Sequence, residues 1–459
     1  MAEKVHSEEQ VEVEYLKLLK DEGGALMWEE GITTVTFYEL TCTPDQPCTA
    51  KFQTVMNMLR TQFAKAVAAN PWLAGSLVTK DKAVSLRYPA KPSEEGDIPR
   101  LFTARTAEQV AAAPSSSTFN PLVATQSYRD ICTSMYDPVK GVVVCAGCTG
   151  LDQNKPVVQL TLTESTSTQP GVIGGFSLVF SMSHAVADGR TYYEILNMLK
   201  PASTVWAMES ARLQSFSEAM RDQCGRKELE WADTTSAACM YTCAMVPLML
   251  GCAKAPRCVA FELDGDKLAA AKAKAVADSK GTLNEATYVT TNDVLTSGFF
   301  NEVSARIGMM GMDCRNRISG VDKGMAGNYV TALTMDTETF ATPQAVRKML
   351  SSMPYECTLR PLPGCCAWLT GRDSSNFAMA TNWSSFAGQL IDLHQHGCEM
   401  NIHLPAQNPA YALFDLMIPF ARGAGKVGVI CWTVSSDEDG LRAALPVGAC
   451  LSRSLFPSP

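Results

Sequence analysis

The chain has 459 residues, 46% of them hydrophobic and 19% charged, a folded composition long enough for two domains of about two hundred residues each and not that of a disordered protein. A net charge of −8 leaves no basic face for a phosphate backbone, which excludes nucleic acid as a partner. Seventeen cysteines, in a chain that opens Met-Ala-Glu-Lys-Val-His-Ser-Glu-Glu with no apolar signal, predict reduced thiols used as small hydrophobes in a cytoplasmic protein rather than a secreted disulfide framework.

Strands and helices alternate along the chain with no internal repeat, which reads as α/β. Phe52, Val55, Met56, Leu59, Phe63 and Val67 recur at helical spacing, and Asn70-Pro71 ends that helix. Residues 141–144, Gly-Val-Val-Val, read as an apolar strand ending in Cys145-Ala-Gly-Cys148. That C-x-x-C has no second pair and no nearby histidine, so it reads as structural rather than as a redox or zinc pair. Phe176, Leu178, Phe180 and Met182 alternate with Ser177, Val179, Ser181 and Ser183, a period of two that predicts a half-buried strand.

That strand delivers His184, one of five histidines, followed by Ala-Val-Ala-Asp188-Gly189 and a helix over 190–199. Strand ends in α/β folds open into clefts. Gly189 is read as letting the chain turn tightly without a Cβ, and Asp188 as bracing the turn through an arginine from elsewhere or through backbone N–H groups. An imidazole titrating near neutrality can take the proton of an attacking hydroxyl or amine and pass it to a leaving group, so His184 is the candidate general base.

Residues 201–256 break the rhythm. Within them 237–253 carries no charge, is short for a membrane span and contains Pro247 and Gly251, so it reads as a buried or interfacial segment that allows membrane contact without predicting it. A strand over 259–263 and an Ala/Lys-rich helix from Asp266 restart the alternation. The expected division is therefore 1–205, a crossover at 206–257, and 258–459. Leu295, Phe299, Val303 and Ile307 lie four apart and predict an amphipathic helix over 292–307 with Asn292 as its cap. His394 and His396, two apart with one acid nearby, are not read as a metal site.

Ser-His184-Ala-Val-Ala-Asp188-Gly189, between its strand and helix, resembles the H-x-x-x-D-G signature of the BAHD acyltransferases, in the chloramphenicol acetyltransferase-like superfamily. Four further segments stand in that family's order. Asn-Pro-Trp-Leu-Ala-Gly-Ser-Leu at 70–77 is similar to its Pro-Leu-Ala-Gly-Arg-Leu turn, and Thr291-Asn-Asp-Val-Leu-Thr onward to the helix opening its second domain. Asp313-Cys-Arg315-Asn-Arg317 with Gly327-Asn328-Tyr329 resembles its Asp-Gly-Arg and Gly-Asn pair, and Thr381-Asn-Trp383 its Thr-Ser-Trp segment. The likeness covers most of the chain. It departs at 391–397, Ile-Asp-Leu-His-Gln-His-Gly, where Asp-Phe-Gly-Trp-Gly is expected: Asp392 keeps the acid and the rest is gone, which marks the chain as divergent.

The resemblance implies two chloramphenicol-acetyltransferase-like domains, each a mixed β-sheet flanked by helices, with the active-site channel between them. It implies a monomer that moves an acyl group from acyl-CoA, a co-substrate, to a hydroxyl or amine of a small molecule. His184 would be the base with no covalent acyl-enzyme, no permanently bound cofactor and no metal. Asp188 would form a structural ion pair with Arg315, while Thr381, Trp383 and Asn328 would line the oxyanion and substrate pocket. Three other readings stand beside it. A wax-ester-type enzyme suits the apolar 237–253 stretch. A condensation-type enzyme is disfavoured by Ser183, where a second histidine is usual, and by the absence of carrier domains. A third reading is a superfamily member that binds a ligand without turnover.

Overall fold

A computed structural model describes residues 12–41, 47–114, 119, 127–165, 174–224, 257–351, 377–409, 415–423 and 425–451. The strands of the first half are β1 (Val13–Lys17), β2 (Ile32–Leu40), β3 (Ser76–Lys80), β4 (Ala83–Pro89), β5 (Phe102–Arg105), β6 (Val158–Ser165) and β7 (Gly175–Met182). Those of the second half are β8 (Arg257–Leu263), β9 (Ile307–Asp313), β10 (Val330–Met335), β11 (Phe377–Ala380), β12 (Cys398–Ala406), β13 (Asp415–Gly423), β14 (Lys426–Thr433) and β15 (Val447–Cys450).

They form a small antiparallel sheet β1-β4-β3, a mixed sheet β12-β2-β7-β6-β5 and a second mixed sheet β10-β9-β11-β13-β14-β8-β15. The parallel pairings are β5 with β6, and β11 with both β9 and β13. The two mixed sheets do not divide at one point of the chain. β12 comes from the second half yet runs antiparallel to β2, with Leu404 opposite Val35, and forms the edge of the first sheet. A strand exchanged in this way is not described by a single boundary such as 206–257.

The helix Cys48–Ala69 forms where apolar side chains recur every three to four residues, and it buries Phe52, Val55, Leu59, Phe63 and Val67 against the first sheet. It stops at Asn70, whose φ of −130° and ψ of 71° leave the helical region just before Pro71. Asn70 then serves as a tie: its Nδ2 donates to the Ala66 and Trp206 carbonyls, and its Oδ1 accepts from the Met208 N–H.

β7 sits at the centre of the first sheet, and the period of two assigns its faces. Phe176, Leu178, Phe180 and Met182 join the helix-covered core, while Val179 faces the opposite way. The expectation of a half-buried strand is wrong, however: every residue of β7 is buried. The reason is the second sheet. Val35, Phe37 and Val179 pack with Leu416, Ile418, Phe420 and Trp432 in a third core between the sheets, so the more polar face never meets water. Of its hydroxyls, Ser181 pairs with Thr33 at 2.8 Å and with the Val144 N–H at 3.1 Å, while those of Ser177 and Ser183 are buried without a hydrogen-bond partner.

Other expectations are corrected. Residues 141–144 are no strand, because side chains take the backbone groups a ladder would use: Val144 N–H goes to Ser181, and the Gly141 carbonyl accepts from Gln159 Nε2 at 2.6 Å. The helix predicted over 292–307 is Thr291–Glu302, capped by Thr290, whose side chain and that of Asp293 each accept the other's N–H. Ser304, at φ 53°, turns the chain, and Ile307 belongs to β9. Cys48, at a helix start and partly buried against the first core, is disulfide-bonded; Cys145 and Cys148 are free thiols. The apolar 237–253 stretch and most of the 206–257 crossover lie outside the described residues, among which no helix is long and apolar enough to cross a membrane.

Candidate active site

β7 ends at Met182, opposite Ile32 of β2 and Val158 of β6. The Ser183 N–H still donates to the Val157 carbonyl at 2.8 Å, and the chain then turns through His184 to Asp188. Asp188 is the N-cap of the helix Gly189–Met198, its Oδ1 accepting the Thr191 N–H at 2.8 Å. His184 is thus carried on a turn clamped by a central strand on one side and a capped helix on the other. Its side chain is 22% exposed.

The turn is tied to the second sheet by a buried ion pair. Arg315, in the loop after β9, donates from Nη1 to Asp188 Oδ2 at 2.7 Å and from Nη2 to Asp188 Oδ1 at 3.3 Å, with both side chains 1% exposed. Arg315 also donates to the Met325 and Gly327 carbonyls, to Thr191 Oγ1 and to Asp313, so its whole fork is used. The Tyr329 N–H adds a further bond to Asp188 at 3.0 Å. Burial pushes the Asp188 carboxyl up, but Arg315 and the N–H donors outweigh it and hold the group below the usual carboxylate range. Burial likewise works against the Arg315 charge, and Asp188 and Asp313 more than offset it.

A second layer fixes the imidazole. Asn328 Oδ1 lies 3.0 Å from His184 Nδ1, while Asn328 Nδ2 donates to the His184 carbonyl at 2.8 Å and to Glu22 Oε1 at 3.1 Å. The amide orientation follows from its partners. A carbonyl and a carboxylate can only accept, so the NH2 must face them and the oxygen must face Nδ1. Nδ1 therefore carries a proton, and in the neutral ring the lone pair is on Nε2. Glu22 is itself fully buried and paired with Arg212 at 2.9 Å, and it also accepts the Asn328 and Leu19 N–H groups. Arg212 reaches on to the Val186 and Ala326 carbonyls, on the two segments that carry His184 and Asn328. Gly327 has to be glycine: its φ is 125°, and a Cβ would stand 2.7 Å from the Arg212 guanidinium. On the Nε2 side the Glu29 carboxylate stands 3.6 Å away and is 55% exposed.

Thr381 and Trp383 follow β11 and stay pinned along β13, their N–H groups donating to the Met417 and Pro419 carbonyls. The Trp383 indole N–H donates to Thr381 Oγ1 at 3.1 Å. Tyr193, on the helix that follows the His184 turn, meets the Trp383 ring edge-on at 6.1 Å and stacks on Phe386 at 4.5 Å. Its hydroxyl pairs with His403 Nε2 at 3.1 Å, and His403 Nδ1 with Thr36 at 2.8 Å. Burial pushes His403 down to about 3, so it is a neutral element of the packing.

No family model and no curated protein sequence matches the chain. Solved structures do. TRI101 of F. sporotrichioides, in complex with coenzyme A and T-2, is 15% identical over 94% of this chain and 97% of its own, with a TM-score of 0.55. TRI101 of F. graminearum, with coenzyme A and T-2 mycotoxin, is 12% identical over 94% and 98%, with a TM-score of 0.58. Vinorine synthase is 12% identical over 97% and 100%, with a TM-score of 0.53. The chain has the two-domain chloramphenicol-acetyltransferase-like fold.

Within that fold several expected roles change. Asn328 cannot serve an oxyanion, because both its N–H bonds are spent on the His184 carbonyl and Glu22. Trp383 spends its indole N–H on Thr381, which leaves the Thr381 O–H as the free donor of that pair. Gly189 is not needed for a tight turn: it is the first helical residue, outside the left-handed region, and a Cβ there would touch only Phe386 at 3.7 Å. Asp392 caps a short turn by accepting the His394 N–H at 2.9 Å, and among the described residues no group of three His, Cys, Asp or Glu side chains is placed to hold a metal. Glu22, Arg212 and Glu29 were not legible, since each acts on residues more than a hundred positions away and none lies in a motif.

Proposed function

We propose that this chain is a divergent BAHD-like acyltransferase that moves an acyl group from acyl-CoA to a hydroxyl or amine of a small molecule, with His184 as general base. The observation that carries the reading is the imidazole itself. It is partly exposed, its Nδ1 proton is held by Asn328, and its Nε2 lone pair is presented from a turn that Asp188 and Arg315 anchor. The coenzyme A bound to the two TRI101 neighbours supports CoA as the donor's carrier.

The chemistry follows from those groups. The acceptor gives its proton to Nε2 as its oxygen or nitrogen bonds to the thioester carbon. Negative charge develops on the former carbonyl oxygen, where the Thr381 hydroxyl is the donor left free. Collapse breaks the C–S bond, and the imidazolium returns the proton to the thiolate. No acyl-enzyme forms, and much of the acceleration comes from holding the two substrates together. Asp188 and Arg315 touch neither substrate; they keep the turn in place. Residues 1–205 and 258–459 would supply the two domains, with β12 exchanged and 206–257 crossing between them.

The test is a screen of purified wild type with acyl-CoAs of increasing chain length against alcohols and amines, reading free thiol and product mass. Thiol release that depends on the acceptor and yields an acylated product is expected. Consumption of no acyl-CoA with any acceptor would refute the proposal.

A further inference from the structure

Resting on that base, we infer that Glu29 is a specificity residue and that the acceptor it selects is a primary amine. With the proton on Nδ1, Nε2 can only accept a hydrogen bond, and a carboxylate can only accept one too. The two stand 3.6 Å apart, too long for a hydrogen bond, and in the neutral ring that acts as a base neither facing atom carries a donor hydrogen. Two acceptors turned to one point call for a group carrying two hydrogens.

A primary amine supplies them and has a lone pair left. One N–H points to Nε2, the other to Glu29, and the lone pair is free for the thioester carbon. An amine arriving as ammonium is drawn to the carboxylate and sheds its third proton to water before attack. As the C–N bond forms, the proton on the Nε2 side moves to the imidazole. The C–S bond then breaks, the imidazolium protonates the thiolate, and the products are an amide and free CoA. The remaining N–H stays on the amide and stays with Glu29. An alcohol has a single O–H, which must go to the base, and its oxygen lone pairs are left facing the carboxylate.

The position of Glu29 is built rather than incidental. It ends the short helix Ala25–Trp28, whose Met27 is buried. Two residues on, Gly31 packs so tightly on the end of β7 that a Cβ would lie 2.7 Å from the Met182 carbonyl and 2.4 Å from Val144. Glu30 between them is held by Asn408 at 2.6 Å. The same N-terminal segment carries Glu22, which orients Asn328, so one stretch of chain both sets the tautomer and supplies the carboxylate opposite it.

The experiment compares matched acceptors, phenethylamine against 2-phenylethanol and tryptamine against tryptophol, with acetyl-CoA, in wild type, Glu29→Gln and His184→Ala. Wild type is expected to favour each amine by at least about tenfold in kcat/KM, the scale of discrimination a paired polar group gives. Glu29→Gln is expected to shrink that ratio by about tenfold, chiefly through a raised KM for the amine, which a merely structural residue would not do. Equal transfer to alcohols in wild type, or equal losses for both classes in Glu29→Gln, overturns the inference. Transfer that survives His184→Ala overturns the base assignment beneath it instead.

Discussion

Replacing Arg315 by Met removes the cation that lets Asp188 be buried. The Asp188 side chain is 1% exposed, and after the change it keeps Thr191 and the Tyr329 N–H as its partners, with no cation among them. A buried charge stripped of its counter-ion costs about 3–5 kcal/mol. For 459 residues melting as one unit, an unfolding entropy of about 1 kcal/mol per kelvin turns that into a Tm lower by about 3–5 °C. The pH dependence has a sign. In wild type the depressed Asp188 contributes stability that is present above the unfolded pKa and is lost as pH falls through the folded one. Without Arg315 burial dominates, the folded pKa rises above the unfolded value, and lowering the pH relieves the variant. Scanning calorimetry at several pH values should therefore show a gap between wild type and Arg315→Met that narrows on acidification. Asp188→Asn combined with Arg315→Met should recover about 2 kcal/mol relative to the sum of the singles. An Arg315→Met protein that melts within about 1 °C of wild type, or a double variant with strictly additive losses, would show that the pair does not hold the turn.

Asn328→Leu should lower kcat by about 10²-fold or more with a smaller change in KM, because Nδ1 loses its acceptor and the imidazole its fixed tautomer; circular dichroism would separate this from unfolding, and an unchanged kcat would count against the tautomer argument. His403→Gln should flatten the acid limb of Tm against pH. His403 is depressed to about 3, so the unfolded chain takes up a proton below about 6.5 that the folded one refuses, and stability falls between those values by up to about 1.4 kcal/mol per pH unit. A variant with the wild-type slope would show that His403 is not the group responsible.

What was legible in the sequence is local or ordered. The helix Cys48–Ala69 shows in the spacing of Phe52, Val55, Leu59, Phe63 and Val67, because one face meets a sheet. β7 shows its faces through a period of two. Arg315 is legible only through the order of its motif relative to the His184 segment; nothing in spacing connects residues 127 positions apart. What was hidden depends on the other sheet. Half-burial of β7 is a fair reading of alternating serines until the third core covers them. The pairing of β12 with β2, seen in the His403–Thr36 contact across 367 positions, leaves no periodic trace. Glu22 looks like one more surface acid in Lys-Asp-Glu-Gly-Gly and becomes a buried brace only through Arg212. Thr290 rather than Asn292 caps its helix because the reciprocal bond with Asp293 satisfies two N–H groups at once.

In the proposed mechanism His184 Nε2 removes the acceptor's proton. The most direct measurement is kcat/KM of His184→Ala on the best acyl-CoA and acceptor pair, with folding checked by circular dichroism and Tm. A loss of about 10²- to 10⁴-fold is expected, the contribution of a positioned general base. A folded His184→Ala protein that transfers acyl groups within about threefold of wild type, far below that range, would contradict it.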